Sequence, residues 1–546
     1  MILFFTFIVA MFITMVLIPP LMLSARRLDI LDVPDARKVH TAPIPRIGGV
    51  AMVAGMVAPV LMWSSLPAEI LALLLGVGVI LFFGVVDDRQ ELDYRFKFGG
   101  QALAIAIAIF YGNIKILYIP FMGLDPLPDI IAIPLTAFAL LGITNAINLA
   151  DGLDGLAGGT CRLSFATIGL LAFLAGDSTI LLICLAVTGS IMGFLRFNTH
   201  PAQVFMGDGG SQFLGFVVGV LAILLTQQVN PALSPAMPLL LLGLPILDTF
   251  IVMGQRLLDG SSPFKPDKRH IHHKLLALGF DQYEAVGSIY IAQAVLVTLA
   301  FVFRYASDLL NMVLFAVFFV GVLTFFRIAE GLRWRLHRQL GPDARTPVAR
   351  LIKNLKSSGV LTLYPSLFIG ISVPIFLVYA TIRMTAVPID AVYMAFVLMC
   401  VAIGNAITRR RIDDFGLIER GLMYVTITFV VFYSVTTRAV LPQLNIAENI
   451  YFGLLAGAVM TVFRFSHARD FRLTPLDFLV VFIAVAVPNM LGEELPITNI
   501  GEVVAKVFLL FYATELMLGQ LGRYAGAVRV MLTIVLGALA FHVLWS

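Results

Sequence analysis

Long apolar runs, broken by short polar stretches, pattern this chain from end to end. They fall near 2–23, 48–64, 70–86, 99–112, 129–147, 163–176, 178–195, 211–226, 236–254, 285–303 and 308–326, and again near 359–381, 388–407, 421–437, 449–463, 476–491, 501–518 and 530–545. About 20 apolar residues suffice for a helix to cross a bilayer. Inside lipid the backbone must satisfy its own hydrogen bonds, so each run predicts a spanning helix. A barrel would show ~10-residue alternating segments instead, and the sequence has none. The expected fold is all-α: a polytopic membrane protein of about 18 transmembrane helices, eleven before residue 327 and seven after residue 358.

Composition agrees. Of 546 residues, 60% are hydrophobic and 13% charged, and the mean hydropathy is +0.96. A soluble domain carries about a quarter charged residues, so a soluble enzyme is excluded. Cys161, Cys184 and Cys400 lie too far apart in sequence to form a disulfide or metal pattern. Met1 to Leu23 has the length of a signal sequence but no positive amino-terminal region or small-residue cleavage site, and Arg26 and Arg27 follow it. It reads as the first span, with its amino end outside.

The distribution of positive charge tests that map. Of the 37 Lys and Arg, all but Lys115, Arg304, Arg383, Arg438 and Lys506 fall in the loops assigned to the cytosol, as the positive-inside rule requires. One such loop, Arg327 to Lys356, is long and basic and holds a Gly-Pro turn. It reads as a linker with amphipathic character, suited to anionic headgroups. The chain therefore divides into a first membrane unit (1–335), a linker (336–356) and a second unit (357–546) with no repeat of the first.

Candidate chemistry gathers in four cytosolic loops of the first unit: "GVVDDRQELDYRFKFGGQ" (84–101), "NAINLADGLDGLAGG" (145–159), "VFMGDGGSQFLGF" (204–216) and "GQRLLDGSSPFKPDKRHIHHKLLALGF" (254–280). Adjacent Asp87 and Asp88 follow a span. A helix C-terminus disfavours negative charge, so the pair calls for a neutralising cation. Asp151 and Asp154 share one face if their segment is helical; a turn with a cap is the plainer alternative. Asp208, in Gly-Asp-Gly-Gly before a span, suits either a helix N-cap or a carboxylate ligand of Mg²⁺, which takes one or two carboxylates plus substrate phosphates. His270, His272 and His273 stand among Lys265, Lys268, Arg269 and Lys274, a setting better suited to phosphate than to zinc. Carboxylates, Mg²⁺ and basic groups at a membrane surface form a constellation for phosphoryl transfer between a lipid-borne and a soluble substrate.

At these residues the chain resembles the polyprenyl-phosphate N-acetylhexosamine-1-phosphate transferases. The resemblance covers about residues 1–335 and rests on motifs in family order: "RKVHTAPIPRIGG" (37–49), the aspartate pair, "NAINLADGLDGLAGG", "VFMGDGG" and "DKRHIHH". "SPFKPDKRHIHH" is more similar to the N-acetylglucosamine-1-phosphate type than to the muramoyl-pentapeptide type. The resemblance implies that Asn148 and Asp208 hold Mg²⁺ (or Mn²⁺) on the sugar-nucleotide diphosphate. It puts Asp154 near the uracil, with Asp151 in the same loop. Asp87 and Asp88 become catalytic, one of them deprotonating or orienting the lipid phosphate. Lys97 approaches phosphate, while Arg256, His270, His272 and His273 clamp the diphosphate or sugar. Asp248, within a span, fits the pattern too; an intramembrane carboxylate is functional by default, and a helix–helix hydrogen bond is its alternative. The family often has a third aspartate after the pair; here Glu91 and Asp93 are offered, and neither receives a role.

The implied reaction transfers a sugar-1-phosphate, GlcNAc-1-phosphate by default, from a UDP-sugar to polyprenyl (undecaprenyl) phosphate with release of UMP. The implied partners are the UDP-sugar, polyprenyl phosphate and the lipid bilayer, with a homodimer allowed and no nucleic acid. The implied place is a bacterial cytoplasmic (inner) membrane, with the site facing the cytosol, in cell-surface polysaccharide synthesis. A transporter or flippase of lipid-linked sugars is the competing class. Transporters keep key ionisable groups near the bilayer midplane, whereas these acids lie at span ends.

Overall fold

The computed structural model describes residues 2–33, 43–90, 92–123, 125–260, 269–332, 334–335, 360–384, 389–408, 417–436, 442–465, 500–520 and 525–540. The linker expected at 336–356, the span expected near 476–491, Glu91, residues 37–42 of "RKVHTAPIPRIGG" and all of "SPFKPDK" lie outside the described residues. Nearly everything described is helix, and nine of the described helices are long and apolar enough to cross a membrane. The protein is a multi-pass membrane protein.

The chain clusters into two units that divide near Gln339. The first runs through α1 (Ile2–Arg27), α2 (Gly48–Trp63), α3 (Ala68–Gln90), α4 (Tyr94–Ala106, ending in a π-helical turn at Ile107–Tyr111), α5 (Asp129–Ala150), α6 (Leu156–Leu174), α7 (Ser178–Asn198) and α8 (Gly207–Leu224, with a π-helical turn at Leu225–Val229). It continues with α9 (Met237–Leu241), α10 (Gly243–Leu258), α11 (Ile271–Ala277), α12 (Gln282–Val302) and α13 (Asp308–Gly331). A two-residue antiparallel pair, β1 (Leu31–Asp32) with β2 (Ile44–Pro45), is the exception to the all-α expectation among the described residues.

The middle of this unit is α8. Its whole apolar window is buried, and α2, α3, α5 and α6 pack around it. Without a hydrophobic drive between helices in lipid, such packing relies on close backbone approach at small residues. A Cβ on Gly84 of α3 would run into the Gly209 backbone of α8, and one on Gly215 would meet Thr144 of α5. Around that centre, α1 packs on α7 and α2, and α6 packs on α7 and α12.

The single span expected at 236–254 is instead two helices, broken at Leu242. Hydropathy averages across such a break. The freed polar groups are met by Gln293 of α12, which is fully buried: its amide donates to the Leu241 carbonyl (2.8 Å) and accepts from the Leu244 N–H (3.2 Å). Broken helices survive at membrane depth only where such partners exist.

The second unit contributes helices Val360–Ile382, Ile389–Thr408, Leu417–Thr436, Pro442–Phe465, Ile500–Gln520 and Ala525–Ala540. Inside it, Lys506 is buried in ion pairs with Glu448 (2.5 Å) and Glu502, and Arg383 reaches Glu448 at 3.5 Å.

Candidate active site

The first unit gathers its polar motifs around one cavity of about 580 Å³. Its lining includes Arg46, Asp88, Asn148, Asp151, Asp154, His200, Asp208, His272 and His273. The elements that deliver these groups end or begin together: the C-termini of α3 and α5, the N-termini of α4 and α8, and α11.

The aspartate pair is neutralised in two different ways. Asp87 forms an ion pair with Lys97 (2.5 Å) and accepts the Leu92 N–H (2.7 Å), so the turn after α3 folds back over it. Asp93, whose role was left open, caps α4 by accepting the Arg95 N–H (3.4 Å), which starts the helix that carries Lys97. Asp88 accepts the N–H groups of Asp208 (3.0 Å) and Gly209 (3.4 Å). It thus caps the N-terminus of α8 from a neighbouring helix, where the macrodipole favours a carboxylate. The N-cap role considered for Asp208 falls to Asp88. Gly207 is required here: its φ is +70°, and a Cβ would strike the Asp88 carboxylate.

Asp208 stands in the first turn of α8, and Lys97 bridges it (3.0 Å) to Asp87. Asn148, in the last turn of α5, accepts from the Ser211 hydroxyl (2.7 Å), one turn along α8. Two helices therefore bring a carboxylate and a carboxamide oxygen to one side of the cavity.

Asp151 and Asp154 do not share a helical face. Asp151 is the C-cap of α5, and the chain turns through Gly155 at φ +79° before α6 begins. Burial, then the charges of Asp208, Asp154 and Asp88, push the Asp151 carboxyl up to about 7. Asp154 faces His200, whose Nδ1 lies 2.7 Å from its carboxylate, and also accepts the Ala202 N–H (3.1 Å).

Asp248 and His270 are both buried and paired (2.8 Å), and Asp248 also accepts the Ile271 N–H (2.8 Å), which anchors the start of α11. His272 stacks on His270 at 5.7 Å and lies 4.2 Å from His273 between ring centroids. Burial, then the neighbouring imidazole of His273, hold His272 down at about 3, so it is neutral. Arg256 is buried on α10. Of the twelve expected residues, Asp88, Asn148, Asp151, Asp154, Asp208, His272 and His273 line the cavity; Asp87 and Lys97 join it through Asp208, and Asp248 and His270 through His272.

Sequence reasoning missed several lining or supporting groups. Arg46 pairs with Asp32 beside the cavity, and its segment hydrogen-bonds to the strand-like approach to α8, with Phe205 N–H on the Pro45 carbonyl at 2.8 Å. Arg46 sits inside the quoted "RKVHTAPIPRIGG" and could have been singled out. His200, Tyr283, which donates to the His200 carbonyl (2.8 Å), and Asn198, which accepts the Gly155 N–H (2.9 Å), carry no sequence signal of their own.

Comparisons with known proteins converge on this unit. The sequence model for glycosyl transferase family 4 matches residues 70–226, from α3 through α8. A probable undecaprenyl-phosphate N-acetylglucosaminyl 1-phosphate transferase of Bacillus subtilis is 37% identical over 316 residues, covering 57% of this chain and 87% of that protein. The undecaprenyl-phosphate alpha-N-acetylglucosaminyl 1-phosphate transferase of Escherichia coli K12 is 29% identical over 61% of this chain and 89% of its own length. The decaprenyl-phosphate N-acetylglucosaminephosphotransferase of Mycobacterium leprae is 35% identical over 49% and 75%. Carrying that family's motifs on helices that meet at one cavity, and spanning most of these relatives' length, the chain belongs to the polyprenyl-phosphate N-acetylhexosamine-1-phosphate transferase family.

Proposed function

We propose that the protein transfers N-acetylglucosamine-1-phosphate from its UDP-sugar to a polyprenyl phosphate, undecaprenyl phosphate in the first instance. A phosphate oxygen of the lipid attacks the β-phosphorus of the nucleotide sugar. The bond from that phosphorus to the oxygen bridging to the α-phosphate breaks, UMP leaves with the oxygen, and a lipid-linked diphosphate sugar remains.

The observation that carries this reading is the convergence of Asp208 and Asn148 on one cavity, with the Lys97 ammonium held on Asp208. Asp208 and Asn148 supply hard oxygens from two helices, a donor set that fits Mg²⁺, or Mn²⁺ in its place, with substrate phosphates completing the shell. Bound there on the diphosphate, the cation would neutralise charge that otherwise repels the lipid phosphate.

The chain's own groups do the rest. Lys97, a third exposed and held by buried Asp87, is the cation that meets the incoming lipid phosphate. A phosphate monoester has its second pKa near 6 and is mostly dianionic at neutral pH, so Asp87 serves by orienting Lys97 rather than by taking a proton. Asp88 sets the position of Asp208 through the α8 amides. Asp151 and Asp154 serve the nucleoside side, and His272 and His273, steadied by the Asp248–His270 pair, serve the sugar-phosphate side with Arg256.

This reading puts the cavity on the cytosolic face of a bacterial inner membrane, the amino end outside, with about 18 spans in all, an arrangement supported by the sorting of Lys and Arg. It confines the chemistry to residues 1–335 and leaves 357–546 as a separate membrane unit. The test is to incubate purified protein with undecaprenyl phosphate, Mg²⁺ and a panel of UDP-sugars. UMP and a lipid-linked product from UDP-GlcNAc are expected; product from none of the sugars would overturn the reading, and product from another UDP-N-acetyl sugar alone would correct the donor.

A further inference from the structure

One turn beyond Lys97, Asn148 and Asp208, the three helices that carry them also carry three amides. Gln101 is four residues beyond Lys97 on α4, Gln212 four beyond Asp208 on α8, and Asn145 three before Asn148 on α5. Because α5 ends at the cavity while α4 and α8 begin there, all three amides lie on the inner side, about 5.4 Å deeper.

These amides bond to one another. The Asn145 amide donates to the Gln101 carbonyl oxygen (2.8 Å), and the Gln101 amide donates to the Gln212 carbonyl oxygen (2.8 Å). Asn145 also donates to the Leu141 carbonyl of its own helix (2.8 Å). Gln101 and Gln212 are 3% and 4% exposed, so each needs a partner to avoid a costly unpaired polar group.

Apolar side chains would hold three helices together equally well. They specify the axial register less strictly, because apolar attraction is non-directional and acts only through the fit of shapes. A hydrogen-bonded amide between helices does fix it, as a single buried Asn sets register in coiled coils. Sliding any one of the three helices by a turn would break a bond in this set and carry its site residue away from the other two.

We propose that Gln101, Asn145 and Gln212 are positioning residues: an amide clasp that sets the relative heights of Lys97, Asn148 and Asp208 and thereby the geometry of the cation–diphosphate site. The inference rests on the reading that Asp208 and Asn148 hold a cation on the nucleotide.

The test compares Gln212→Leu, Gln101→Leu and the double variant with the wild type, all full-length in detergent. The binding readout is Mn²⁺ with UDP, followed by electron paramagnetic resonance and independent of turnover; thermal midpoint is the stability readout. Residues that only support others around a metal typically change its affinity 10–100-fold. Gln212→Leu takes from the Gln101 amide its 2.8 Å acceptor, and Gln101→Leu takes from Gln212 its donor and from Asn145 its acceptor on α4, so each single variant should lose both thermal stability and about tenfold or more in Mn²⁺·UDP affinity. The double variant removes both Gln side chains, so its stability should recover toward wild type while its affinity stays weakened. A double variant that recovers wild-type affinity together with stability would reduce the clasp to ordinary packing and overturn the proposal. Asp208→Asn runs alongside: Mn²⁺·UDP binding unchanged in that variant would bring down the cation reading itself, and the clasp inference with it.

Discussion

The Asp88 cap on α8 makes a graded prediction. Asp88→Ala removes a carboxylate that accepts two backbone N–H groups, at 3.0 and 3.4 Å, from the first turn of the central helix. Losing an N-cap costs about 0.5–2 kcal/mol, and losing a carboxylate at a helix N-terminus costs about 0.3–1 kcal/mol more, up to about 2 in partly buried geometry. The longer of the two bonds is weak, so about 2–3 kcal/mol is reasonable for the alanine variant. In a unit of this size, with an unfolding entropy of about 0.7 kcal/mol/K, that lowers the thermal midpoint by roughly 3–4 °C. Asp88→Asn keeps one acceptor oxygen without the charge and should lose about half as much. Activity should fall further than stability, because the amide released at Asp208 belongs to the residue assigned to the cation; misplacement of about 1 Å costs on the order of 10²-fold in rate. The assays are melting of detergent-purified protein and initial rates of UMP release at saturating UDP-GlcNAc. If Asp88→Ala melts with the wild type, the cap makes no contribution and the argument from the two amide bonds is wrong.

Asp208→Asn should abolish UMP release with expression and monodispersity intact, and raising Mg²⁺ should not restore it; wild-type rates at limiting Mg²⁺ would remove the residue from the cation site. Asp151 has a pKa raised to about 7 in the fold, so between its ordinary value near 3.8 and about 7 the folded chain keeps a proton that the unfolded chain releases, and stability falls as pH rises through that window. Without Mg²⁺ or nucleotide, Asp151→Asn should therefore melt above the wild type by a margin that opens from pH 4 to 7 and is constant beyond; a pH-independent difference would contradict the assigned shift. A chain ended near Gly341 should still make lipid-linked sugar in detergent, since every assigned site residue lies before residue 280; a monodisperse truncation without transfer would mean the second unit completes the site.

Much of this organisation was readable beforehand, for reasons that differ by residue. Spanning helices announce themselves because lipid demands long apolar runs, and the loops at their ends exposed Asp87, Asp88, Asp151, Asp154 and Asp208 as charges in a greasy chain. The division of labour between Asp87 and Asp88 was not readable. Adjacent in sequence, the two point to different partners, Lys97 and the α8 amides, which come from segments folded against them in space. The break at Leu242 was hidden for the same reason: Leu241 to Leu244 is apolar throughout, and what satisfies its freed, buried backbone groups is Gln293, about fifty residues on. His200 was overlooked because a lone histidine in a loop has many uses, and only its distance from Asp154 selects one.

The burial of α8 has a mechanical consequence. Its apolar window touches no lipid, whereas only 11% of the corresponding window in α13 is covered within the protein. A bilayer that thickens or thins pushes on the helices it wets, which answer by tilting. The groups proposed to do the chemistry hang from a post that the first unit's own helices enclose, out of reach of that push. Lipid composition should therefore govern how readily the polyprenyl substrate reaches the cavity far more than it alters the spacing of the groups inside it.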